Sequence, residues 1–244
     1  HAFDMIRPAL DADIILNLCK LKTHSLAMMT AAAKNLFGTM PGLRKVELHA
    51  RFSDQIAFQR ALVDLTDGLC RQKEVISVCD AIVGMEGNGP SGGTPRAIGC
   101  LLSSRNPFAL DCVAASILGL NEQVAMLEEA RARHLLPDGK PECIGDTPPS
   151  FTDWAAPDSH MSEVLTSLPG FLKPRPVIRS SRCIGCGKCA ESCPVKIITM
   201  DPQRGGKRRA HIHRKQCLHC FCCQEMCPVK AIKIRKSLIL RLVR

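Results

Sequence analysis

Cys183–Met200 reads CIGCGKCAESCPVKIITM, and 34 positions later Cys217–Ile234 reads CLHCFCCQEMCPVKAIKI. Both copies carry the spacing C-x2-C-x2-C-x3-C-P, as Cys183, Cys186, Cys189, Cys193 and Pro194, then Cys217, Cys220, Cys223, Cys227 and Pro228. A loop with a Cys at every third residue wraps one corner of an iron–sulfur cubane, so its three thiolates reach three irons. The fourth Cys lies beyond the turn and ligates the other cluster. The spacing predicts two [4Fe-4S] clusters, one on Cys183, Cys186, Cys189 and Cys227, the other on Cys217, Cys220, Cys223 and Cys193. The alternative for paired CxxC units is a zinc module. Zinc needs four ligands, however, and gains nothing from a third Cys at the same step or from crossed pairing. Gly185 and Gly187 leave room for backbone N–H groups to approach sulfur. His219, Phe221 and Cys222 make the second loop bulkier, so the two clusters have different surroundings. Cys222 reads as a bystander, because Cys223 has the right spacing.

Over residues 177–236 the repeat closely resembles the bacterial two-cluster ferredoxins, which implies a small α+β ferredoxin-like domain. Short repeats of this kind build one pseudo-symmetric unit. A segment of about sixty residues is marginal on hydrophobic burial alone, so cluster assembly is expected to fold it.

The net charge of +10 is an average over unlike halves. Residues 1–172 carry 15 Lys/Arg against 20 Asp/Glu; residues 173–244 carry 18 against 3, a net of +15. Such asymmetry points to an anionic partner. Nucleic acid is not expected, because after Lys173 only Phe221 is aromatic and base stacking needs more. The expected partner is an acidic redox protein such as a ferredoxin or flavodoxin, or an acidic face on residues 1–172. Eight of the 15 cysteines sit in the two motifs and no secretory signal is visible, which points to a reducing, cytoplasmic setting. No apolar run is long enough for a transmembrane helix. The first residue is His rather than Met, so the start is expected to be incomplete.

Residues 1–146 read as an α/β domain, a mostly parallel sheet with flanking helices. Ala12–Leu18, Val75–Met85 and Ala97–Ser103 are β-prone apolar runs. Asp54–Leu69 and Pro107–Leu118 have helical periodicity, the second with Pro at its start and Gly119 just past its end. Asn121 is expected to cap a further helix through His134. Residues 147–176 read as a Pro-rich linker with one short helix near Ser162–Leu168, and residues 237–244 as a basic tail.

Four segments of the α/β half, DADIILNLCKLKTH (Asp11–His24), AAAKNLFGTMPG (Ala31–Gly42), CDAIVGMEGNGPSGG (Cys79–Gly93) and NPFALDCVAASILGL (Asn106–Leu120), resemble an uncharacterised family, domain of unknown function 362. The resemblance implies fusion to a ferredoxin unit, and an opening segment not found here. It implies no settled reaction.

Lys20, Lys22, Thr23 and His24 are expected in a loop after the first strand, where ligands of open α/β sheets gather; there they could hold the carboxylate or phosphate of a small-molecule ligand, or be a solvated loop. Lys34 lies in an alanine-rich helix. Glu86 opens a glycine-rich loop in which Gly87, Asn88 and Gly89 could close on an anion, unless it is a plain turn. Asp111 is a buried polar partner or a site acid. Three readings follow: an oxidoreductase or electron-transfer subunit, a non-catalytic docking platform, or a non-redox acid/base enzyme with a ferredoxin tail. A buried cluster of His24, Lys34, Glu86 and Asp111 would favour an enzyme.

Overall fold

The computed structural model describes residues 2–52, 54–87, 89, 93–137, 139–157, 174–203, 206, 208–217 and 221–235. Ser162–Leu168 and the basic tail lie outside them. The chain divides into two units, His1–Pro41 with Asp54–His160, and Gly42–Ser53 with Met161–Arg244.

The first unit is built on a four-stranded sheet of order β2-β1-β3-β4, from β1 (Ile14–His24), β2 (Met28–Thr30), β3 (Glu74–Glu86) and β4 (Thr94–Ser104). Only β1 and β3 are parallel; β1–β2 and β3–β4 are antiparallel, so the sheet is mixed rather than mostly parallel. The reason is connection length. A parallel pair needs a crossover of a dozen residues or more, and only the segment between β2 and β3 provides one. β2 also corrects the expected loop at Lys20–His24. By pairing with Lys22, Thr23 and His24, it supplies ladder partners that carry β1 on to His24.

The helices of this unit are α1 (Arg7–Asp11), α2 (Ala32–Leu36), α4 (Gln55–Cys70), α5 (Pro107–Leu118) and α6 (Ala125–Ala132); α3 (Gly42–Arg51) groups with the second unit. Both long helices start on side-chain caps. Asp54 accepts from Ile56 N and Ala57 N at 3.2 and 2.7 Å. Asn106 accepts from Phe108 N and Ala109 N at 2.9 and 3.1 Å, and its Nδ2 donates to Leu135 O. Gly119 ends α5 at φ 66°, where a Cβ would stand 2.7 Å from Phe151 O. Asn121 does not cap a helix to His134. It opens a single 3-10 turn and accepts from Ser116 Oγ, while Gln59 Oε1, from α4, takes the Met126 N–H at the start of α6.

One sheet face is buried, through Asn17, Cys19, Leu21, Val75, Ser77 and Cys79. The other is open: Leu16, Leu18 and Leu101 are 67%, 71% and 63% exposed, and Lys20 pairs with Asp80 across it at 2.7 Å. Segment Phe151–Ala155 straps the β3–β4 hairpin. The Arg96 guanidinium lies over the Phe151 and Trp154 rings and pairs with Glu86 and Asp153.

The second unit repeats itself. One-turn helices Lys188–Glu191 and Cys222–Glu225 match at the 34-residue displacement. So do β5 (Arg175–Ile178) with β7 (Arg208–Ile212), and β6 (Ile198–Pro202) with β8 (Ile232–Arg235). The ladders are β5–β8 and β6–β7, so displacement turns one into the other, as a two-fold requires.

Asn106→Ala removes a cap and a second buried bond, and should cost about 2 kcal/mol. Asp54→Ala removes an exposed cap only, and should cost about 1 kcal/mol. Urea unfolding followed by fluorescence of Trp154, the sole tryptophan, measures both.

Candidate metal centre

The second unit holds a void of about 330 Å³, part of it open to solvent, lined by Cys183, Cys186 and Cys189 of the first loop and by Cys227 of the second. Ile178, Ile184, Met200 and Ile232 give it apolar walls. The first loop curls around it because Gly185 and Gly187 take left-handed backbone at φ 73° and 78°. Gly185 has no alternative, since a Cβ there would stand 2.4 Å from Arg208 O. Ala231 N donates to Cys227 Sγ at 3.2 Å, an amide placed to hold negative sulfur. Burial pushes the Cys189 thiol above its usual pKa. Among the described residues no three His, Cys, Asp or Glu side chains converge on a single ion's position. The thiols surround a space, which suits a multi-iron cage better than one zinc.

Of the other expected ligands, Cys193 and Cys223 are buried in an apolar cluster with Ile197, Ile198, Ile212 and Ile232, and Cys217 packs against it. Cys220 lies outside the described residues, as does His219. Phe221 stands where the first loop has Gly187, and it takes the same left-handed backbone at φ 57°. Lys196 and Lys230 match likewise at φ 52° and 49°. Cys222 is buried inside the second one-turn helix.

In the first unit the candidates divide. At the C-terminal ends of β1 and β3 stand Lys22, His24, Glu86, Gly87 and Gly89; Asn88 lies outside the described residues. A Cβ on Gly89 would meet Thr23 O at 1.7 Å, so glycine there answers a close backbone approach. Gly87 N donates to Ala155 O and Gly89 N to Gly87 O. His24 Nδ1 accepts from Leu26 N and Ala27 N at 3.1 and 3.2 Å, which puts the neutral ring's proton on Nε2. Glu86 accepts from Arg96 and Ala155 N. Lys20 is on the open face. Its ammonium, with the Ile82 N–H, holds the Asp80 carboxyl below its usual pKa.

Asp111 and Lys34 serve α2. Asp111 is fully buried and accepts from Ala32 N and Ala33 N at 2.6 and 3.0 Å. Burial raises its pKa to about 7 against those two bonds. Asn17 and Asn35 complete the latch. Asn17 Nδ2 donates to Ala32 O and Ser77 Oγ, and Asn35 Nδ2 donates to Asn17 Oδ1 and Leu18 O. Asn17 and Ser77 escape sequence reasoning, because a lone polar residue in a β-prone run gives no signal of its partner. Lys34 lies over the Phe37 and Phe58 rings. Cys19 and Cys79 are register partners on the buried face; the Cys19 thiol, which donates to Val78 O at 3.6 Å, stands beside Cys79 and, with burial, pushes the Cys79 thiol far up.

Residues 1–116 match the family described as domain of unknown function (DUF362), and residues 182–231 match the 4Fe-4S dicluster domain. The dicluster match indicates [4Fe-4S] cluster binding. Among curated proteins, the thylakoid-associated protein sll1697 of Synechocystis sp. (strain ATCC 27184 / PCC 6803 / Kazusa) is 40% identical over 116 residues, which is 47% of this chain. The chain spans 35% of that protein's length. No solved structure matches. No described helix is long and apolar enough to cross a membrane.

Gly185→Ala should lose the cluster behind the first loop. Gly187→Ala, with nothing near its Cβ, should keep it at about 1 kcal/mol of backbone strain. Iron and acid-labile sulfide assays read the difference. For Asp111 the folded pKa lies above the unfolded value, so its contribution to stability is full below about pH 4 and is lost as pH rises through about 7. Wild-type stability relative to Asp111→Asn should therefore drop by a few kcal/mol across that window, as urea titrations at each pH would record.

Proposed function

We propose that this chain is an iron–sulfur electron-transfer protein with two [4Fe-4S] clusters, exchanging electrons with a substrate or cofactor held by its α/β half. The observation that carries the reading is the shared void: Cys227 of the second loop lines it together with Cys183, Cys186 and Cys189 of the first. That is the crossed set the motif calls for, with three ligands from one loop and the fourth from the other. The pseudo-two-fold supports a second set on Cys217, Cys220, Cys223 and Cys193. A bound [4Fe-4S] cluster supplies one-electron chemistry at a potential tuned by charge, sulfur hydrogen bonds and solvent exposure. The chain's own part is to hold the thiolates, donate Ala231 N–H to sulfur and line the site with Ile178, Ile184, Met200 and Ile232. Its thiol-rich sequence suits a reducing compartment such as the cytoplasm.

In the α/β half, the edge at the C-terminal ends of β1 and β3 is the proposed ligand site, where open sheets bind their ligands. Lys22 and the hairpin loop would meet an anionic group there. A docking platform without chemistry of its own is the second reading. It draws on the partners already engaged by the polar candidates: His24 bonds its own turn, Glu86 bonds Arg96, and Asp111 bonds α2.

Anaerobically loaded chain should contain about eight iron and eight sulfide. Cys193→Ser should damage the cluster on Cys217, Cys220 and Cys223 and leave its sequence neighbour intact, and Cys222→Ser should leave the iron unchanged. Iron assays with spectra of the reduced protein test this. Stoichiometric zinc without labile sulfide would defeat it.

A further inference from the structure

The mouth of the first loop joins an apolar centre to a basic rim. Ile184 is 65% exposed and Cys186 is exposed, yet both line the void shared by Cys183, Cys189 and Cys227. The segments that form this mouth carry four exposed cations. Arg182 directly precedes Cys183, and Lys188 directly precedes Cys189. Arg208 presses its backbone on Gly185. Arg179 donates its N–H to the carbonyl of Ala231, which lines the void. The one acid of the loop, Glu191, ends the one-turn helix.

The rim is not a general property of the repeat. At the matched positions of the second half, Gln216 replaces Arg182, buried Cys222 replaces Lys188 and His213 replaces Arg179. Its own exposed cations, Arg214 and Lys215, precede the second loop and match Ser180 and Ser181. An apolar patch over a thiol-lined void, in segments that carry four exposed cationic residues, fits a protein whose own redox edge carries carboxylates. Complementary rim charges steer encounter and fix orientation.

We propose that this mouth is the docking face for an acidic one-electron carrier protein, making the cluster behind Cys183, Cys186, Cys189 and Cys227 the point of electron entry and exit. The proposal rests on cluster binding as argued above. In the exit direction the reduced, loaded chain gives one electron to the oxidised carrier; in the entry direction a reduced carrier gives one electron to the oxidised chain, so each oxidation is matched by one reduction and no bond forms between the two proteins.

The test uses the full chain, loaded anaerobically, with an acidic flavodoxin as probe. Binding is measured by calorimetry and electron exchange by stopped flow, at low and at high salt. Wild-type protein should bind the flavodoxin with an affinity that falls steeply with salt. Arg182→Glu with Lys188→Glu should weaken low-salt binding about tenfold or more, with the loss fading at high salt and iron content unchanged. If that pair loses iron, Arg179→Glu with Arg208→Glu carries the same expectation from outside the cysteine spacing. Arg214→Glu with Lys215→Glu should change affinity less than about twofold. An equal loss in the Arg214 and Lys215 pair, no loss at the first-loop mouth, or equal binding of basic cytochrome c by wild-type protein would overturn the docking face. Failure of cluster binding itself would show separately, as absent iron and sulfide in the wild-type chain.

Discussion

Cys227 meeting Cys183, Cys186 and Cys189 around one void is the contact on which the second unit depends. Its halves are short, their strands pair only in twos, and the flanking sequence is crowded with like charge. A handful of isoleucines is little for such a chain to bury. A ligand shared between halves, as proposed above, would make each loop's closure conditional on the other's. The two-stranded ladders follow the same logic: β5 pairs with β8 and β6 with β7, so each loop lies between strands that belong to different ladders.

The α/β unit is organised around a different constraint, the placing of a very short helix. α2 has five residues, three of them alanine or leucine in full burial. It is too short to be stable by itself. Asp111 binds its first N–H groups, and Asn17 and Asn35 tie it to β1. Side chains that look like a reaction centre in the sequence are here the fastening of a structural element. Buried polar groups in such networks are satisfied as a set, so losing one exposes the rest to the desolvation penalty.

What is legible in the sequence is mostly local. Pro107 and Gly119 bound α5 as expected, and Asp54 opens the α4 region, because caps work within a few residues of the backbone they serve. The cysteine spacing is legible for the same reason. Sheet direction is not, since it depends on where strands are joined rather than on their apolar runs. β2 is three residues long and buried throughout, so it has no alternation to read. Asp111 meets Ala32 N from 79 residues away, and nothing near Asp111 tells a latch from a site acid. Gly89 is glycine because Thr23 O lies against it, a fact invisible in a loop that merely looks phosphate-binding.

The register of the sheet also fixes an order of events. β1 and β3 are parallel partners 60 residues apart, whereas β3 and β4 are joined by a hairpin. Loop closure over the longer separation is costlier, and such pairings form late. β1 is synthesised first and must wait for its neighbour with Cys19 and Leu21, which the finished sheet buries, still uncovered. The hairpin therefore serves as the template on which β1 settles, and Gly89 against Thr23 marks where the two finally meet.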